Sequence, residues 1–160
     1  MKKQIVPILL ILGLTLISFN QVNIVAADSS QIQEIDENFK IDYSGFHGNQ
    51  LELNEAAYKE FKRADDKLNE IYNKIFIKYK DNQLFLDKLI NAEIAWINFR
   101  DAQLEAIYPE ENKSVYYGSI FPMVYNIEKA KLTWDRVIQL NQWLIEYPEG
   151  TTGLGSRGKQ

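Results

Sequence analysis

The chain has 160 residues, with 18 basic and 22 acidic side chains, one histidine and no cysteine. The absence of cysteine excludes disulfides and thiolate metal sites, and a net charge of −4 argues against nucleic acid as a partner. A chain of this length is one domain's worth and can bury a core by packing alone.

Lys2 and Lys3 precede an apolar run from Ile5 to Phe19, followed by Val25-Ala26-Ala27 and the polar Asp28-Ser29-Ser30. That is the layout of a signal peptide covering residues 1–27, cleaved after Ala27. The apolar run falls short of the roughly 20 residues a spanning helix needs, so no membrane anchor is expected after cleavage. The exported product, periplasmic or extracellular, then begins at Asp28 and is expected to be soluble. Between Asp28 and Glu149 lie 14 basic and 22 acidic residues, a charge of −8, which attracts a cationic partner at long range or else serves solubility alone.

Residues 28–50 show no sustained period and read as an irregular leader; they hold Gly45, Gly48 and the only histidine, His47. From Leu51 to Lys80, Ala57, Phe61, Ala64, Leu68, Ile71 and Ile75 recur at spacings of three and four, one apolar face of a long helix. Asp81-Asn82 interrupts the pattern as either a turn or a kink. A second stripe follows as Phe85, Leu89, Ala92, Trp96, Phe99 and Gln103, and it should stop at Tyr108-Pro109, because proline disfavours helix at the residue before it.

The third stripe is Met123, Ile127, Ala130, Trp134, Val137, Asn141 and Leu144, with Ser119 as the expected N-cap and Pro122 in the first turn. Residues 148–160 carry four glycines and read as a flexible, disordered tail. Each stripe buries itself only against the others, so the expected fold is all-α: an antiparallel bundle of three long helices, domain 51–147, with the leader before it. The oligomeric state is left open.

Polar residues lie in or beside these stripes: Asp65, Asn69, Glu93, Arg100, Asp101, Thr133 and Arg136. Buried polar groups need partners, so these are expected to form a structural network across the helices, with Asp65 as the natural partner of Arg100. An enzyme reading would pair Glu93 with Asp101, but their separation along a helix is about 12 Å of rise, beyond the roughly 5 to 9.5 Å of glycosidase carboxylate pairs. His47 has neither a nucleophile motif nor metal-ligand spacing around it. No catalytic residue, metal or cofactor is therefore expected.

The order Ala64-Asp65-x-x-Leu68-Asn69-x-x-Tyr72, Ala92-Glu93-x-Ala95-Trp96-x-x-Phe99-Arg100-Asp101, Gly118-Ser119 and Leu132-Thr133-x-x-Arg136-x-x-x-Leu140 resembles the LprI-like lysozyme-inhibitor family of exported bacterial proteins. The paired cysteines usual in that family are absent; Ala56, Leu104 and a residue near Glu128 stand at positions that look equivalent. The resemblance implies a non-enzymatic inhibitor whose partner is a lysozyme, and an acidic body suits a cationic one. The connection from Tyr108 to Gly118 combines acids with tyrosines, residue types that anchor interfaces, so Glu110, Glu111, Tyr116 and Tyr117 are the expected partner-binding residues. The alternative is a cell-envelope interaction or structural module with an unknown ligand, in which the connection only covers the end of the bundle.

Overall fold

A computed structural model describes residues 39–147, 151 and 153–157. The expected signal peptide and the first part of the leader lie outside the described residues. Among those described, all regular structure is helical: α1 (Gln50–Lys78), α2 (Gln83–Ile107), the short α3 (Lys113–Tyr117), a 3-10 turn (Gly118–Ile120) and α4 (Phe121–Asn141).

α1 starts where its capping chemistry dictates. The Asn49 side chain accepts from the Leu51 and Glu52 amides at 2.9 and 3.2 Å, and the Glu52 carboxylate accepts from the Asn49 amide at 2.7 Å. That reciprocal box satisfies donors which the first helical turn otherwise leaves unpaired. Gly48 is required beside it: its φ is +98°, and a Cβ there would collide with the Glu52 carboxylate. α1 ends at Lys78, and Asn82 caps α2 by accepting from the Phe85 amide at 3.1 Å, so Asp81-Asn82 is a break and not a kink.

The order of contacts gives the directions of the helices. Along α1 and α4 the pairings advance together: Glu60 meets Trp134, and Tyr79, just past α1, reaches Trp143, just past α4. Along α1 and α2 they run oppositely: Tyr79 meets Phe85, Tyr72 lies within electrostatic reach of Glu93, and Asp65 and Arg100 both lie within reach of Lys129. The bundle is therefore up, down, up. Its core joins Ala64, Leu68, Ile71 and Ile75 of α1 to Leu86 and Leu89 of α2 and Trp134, Val137 and Leu140 of α4. Aromatic contacts close one end, where Tyr79 meets Phe85 at 4.5 Å between ring centroids and Phe85 meets Trp143 at 6.1 Å.

The first and third stripes lie inward as their spacing requires, but α2 is rotated. Its buried residues are Leu86, Leu89, Arg100 and Leu104, while Ala92, Phe99 and Gln103 of the expected stripe are exposed. The inward face thus runs through Glu93, Trp96 and Arg100. The reason is electrostatic as well as apolar: Glu93 must meet Arg136 of α4, and both side chains are close to nine-tenths covered.

One further expectation changes. Ser119 is not an N-cap; it sits in the 3-10 turn, Ile120 precedes α4 without a side-chain cap, and the Ser119 carbonyl accepts from the Asn54 side-chain Nδ2 at 3.2 Å. In the segment expected to be disordered, Arg157 closes a turn on the Leu154 carbonyl at 3.1 Å and places its guanidinium 5.5 Å from the Trp143 ring centroid.

Candidate functional site

The connection after α2 is held more firmly than an irregular crossover. The Lys113 ammonium donates to the Glu105 carboxylate at 2.7 Å, the Tyr108 carbonyl at 2.7 Å and the Glu110 carbonyl at 3.3 Å. Asn112 caps α3 by accepting from the Val115 amide at 3.3 Å. Beneath it Tyr108 packs edge-on against Tyr117 and Phe121, each at 5.4 Å, and against Tyr125 at 6.0 Å. Burial, then the nearby Glu128 charge, pushes the Tyr108 hydroxyl above its ordinary pKa; burial, then Asp101 and Glu105, does the same for Tyr125. Both phenols stay neutral at physiological pH, as a closely packed aromatic cluster requires.

This cluster divides the expected partner-binding residues. Tyr117 is half-buried and stacks on Phe121 at 5.6 Å, so it covers the end of the bundle. Tyr116 is 68% exposed, and Glu110 and Glu111 are exposed beside it. Val115, Ile107 and Ile120 add apolar surface at the same end. From Asp101 to Tyr117 the chain carries four acids, Asp101, Glu105, Glu110 and Glu111, against Lys113 alone. The surface is therefore acidic, partly apolar and fixed in shape, which suits recognition of a cationic, partly apolar protein surface.

The polar residues noted within the stripes make a different network from the one expected. Asp65 does not pair with Arg100: it accepts from Lys62 at 3.3 Å, while Arg100 donates to its neighbour Asp101 at 2.9 Å and lies 5.2 Å from the Trp96 ring centroid. The cross-helix pair is Arg136 with Glu93, whose Oε2 accepts from both Nε and Nη2, at 3.0 and 2.9 Å. Asn69 donates to the Asp65 carbonyl at 2.9 Å, and the fully buried Thr133 donates to the Lys129 carbonyl at 2.8 Å. With Glu93 committed to Arg136 and Asp101 to Arg100, the two carboxylates do not form a paired acid–base site.

Glu60, passed over in the sequence, is as important as any of these. Its buried carboxylate accepts from Arg63 at 2.7 and 2.9 Å and from the Trp134 indole at 3.0 Å. Arg63 also donates to the Lys40 carbonyl at 2.6 Å, and Phe39 stacks on Trp134 at 5.9 Å, so the end of the leader is bound to the bundle. The signal was available: Glu60 lies three residues after Ala57 and four before Ala64, on the same face.

An open groove is lined by Phe39, Trp134 and charged residues of α1, among them Asp66 and Glu70. Lys59, Lys62, Arg63 and Lys67 there each pair with a nearby acid, which leaves the groove without a strong preference for anions. Among the described residues no group of three histidine, cysteine, aspartate or glutamate side chains could hold a metal ion, and no helix is long and apolar enough to cross a membrane.

No curated protein and no solved structure matches the chain. A family model described as lysozyme inhibitor LprI matches residues 44–140, which run from the loop before α1 to the last turn of α4 and include both the α2–α4 ion pair and the fixed connection. On that match, covering more than half of its length, the chain belongs to the LprI lysozyme-inhibitor family.

Proposed function

We propose that this protein is exported and inhibits lysozyme by binding its surface, with no chemical step. The observation that carries the reading is the connection after α2. Lys113 and the Tyr108 cluster hold it in one shape, so Glu110, Glu111 and Tyr116 are presented without a large ordering cost on binding. The family membership supplies the partner class, and the charge of −8 between Asp28 and Glu149 suits a cationic lysozyme.

A cell-wall clearing assay with several lysozymes, at low salt and with purified protein, tests this directly. Clearing should slow as the protein is added, most for the most basic lysozyme. Undiminished clearing at high molar excess, from protein shown to be folded, overturns the reading and leaves an envelope module with another ligand. Export with cleavage after Ala27 is part of the same proposal. It is checked by the intact mass of the product, which should begin at Asp28; a membrane-bound product retaining Met1 counts against it.

A further inference from the structure

α2 is the richest in apolar side chains of the three long helices and also the least buried. Between Lys88 and Arg100 its only charged residue is Glu93, which faces inward to Arg136. The outward positions carry apolar side chains beside the uncharged Asn91 and Asn98: Ile94 is 55% exposed, Ile97 40% and Phe99 56%. A helix that only needed solubility would carry charge there, whereas charge depletion around exposed apolar residues marks the centre of a protein interface.

Beside this face, between α1 and α2, lies a crevice of about 270 Å³. Ile90, Ile94 and Ile97 form one wall, and Asp65, Asn69 and Tyr72 stand opposite. Its size falls below the about 300 to 1,000 Å³ of small-molecule sites and suits one long side chain. Glu93 lines it, and Glu93 Oε1 is the one buried side-chain polar atom among the described residues without a hydrogen-bond partner. Such an atom calls for a donor.

We propose that this face of α2 is a docking surface for a cationic protein, which inserts one arginine or lysine into the crevice toward Glu93 and Asp65. The proposal rests on the inhibitor reading, the cationic protein being the lysozyme. Charge selects this occupant over a second copy of the chain. The crevice's border holds Asp65 and Glu93 against Arg100, and each body carries −8 between Asp28 and Glu149, so two copies would bring like charge together. A cationic partner meets the same border with attraction.

The test compares wild type with three variants for lysozyme binding and wall clearing, with circular dichroism and Tm measured on each. Ile94→Asp with Ile97→Asp charges the face, Asn69→Arg places a cation of the chain's own at the crevice, and Ile77→Asp is a control at an exposed apolar position of α1. The first two should weaken binding at least tenfold with folding retained, and the control should bind as wild type does. Wild-type-like binding by Ile94→Asp with Ile97→Asp overturns this proposal while leaving the inhibitor reading intact. A wild-type protein that binds no lysozyme overturns both. A wild-type dimer that Ile94→Asp with Ile97→Asp dissociates assigns the face to a second copy and also overturns the proposal.

Discussion

The Glu60 carboxylate accepts the Trp134 indole N–H at 3.0 Å across 74 positions of sequence, a polar contact between α1 and α4 at a buried point of the bundle. The Arg63 guanidinium completes it, bonded to the same carboxylate and lying 4.5 Å from the Trp134 ring centroid. Glu60→Ala removes the acceptor from a buried indole N–H, while Arg63, partly exposed, regains water. The expected cost is about 2 kcal/mol, the penalty of one unsatisfied buried group. Urea denaturation followed by tryptophan fluorescence measures it, and Glu60→Gln, which keeps an acceptor, should lose less. Equal losses in the two variants would mean that the indole bond contributes little.

Arg136→Met should be the more damaging of the two central arginine substitutions. It strands Glu93, whose side chain is 12% exposed, with no partner on either oxygen. Breaking such a pair costs about 3 kcal/mol, a fall in Tm of more than about 10 °C for a domain of this size. Arg100→Met strands only Asp101, which is 55% exposed and stays solvated, so about 1 kcal/mol or less is expected from the charge. Thermal melts of both variants decide it, and the opposite ranking would return the central role to Arg100.

Lys113→Met should loosen the connection without unfolding the bundle. Its three bonds to Glu105, Tyr108 and Glu110 are lost, while the aromatic cluster beneath remains. Global stability should fall by about 1 kcal/mol or less, because the contacts lie at the surface. Amide hydrogen exchange over residues 112–117 should rise, and inhibition of lysozyme should weaken several-fold as the ordering cost on binding returns. Unchanged exchange in that segment would show that the lysine does not hold it.

Glu110→Lys with Glu111→Lys should weaken inhibition and leave Tm unchanged, since both side chains are exposed and neither packs in the core. Wild-type association with lysozyme should slow as salt rises, because exposed charges are screened over roughly 8 Å at physiological ionic strength. In the double variant that salt dependence should flatten. Stopped-flow association rates across a salt series measure both, and a variant with wild-type slope removes these acids from the encounter surface.

Much of this molecule was fixed by local chemistry and so was legible in the sequence. The Asp81-Asn82 interruption, Tyr108-Pro109 and Pro122 delimit the helices through backbone sterics and capping, which act over a few residues. The stripes of α1 and α4 each leave one apolar face, and that face is the buried one. The acidic, tyrosine-bearing connection could be located too, because Glu110, Glu111 and Tyr116 need only be outside the stripes to be exposed.

Only the tertiary structure decided which way α2 turns. Its sequence offers two faces at helical spacing, one through Ala92 and Phe99 and the other through Glu93 and Arg100, and both include Leu89 and Trp96. Periodicity prefers the apolar one. The bundle takes the other, because Arg136 on α4 needs a carboxylate where water is excluded and Glu93 is the one within reach. That same choice turns Ile94, Ile97 and Phe99 outward and creates the crevice beside them. A charge pair between helices 43 positions apart is invisible to any window of sequence, since its strength depends on the burial that only the assembled bundle supplies.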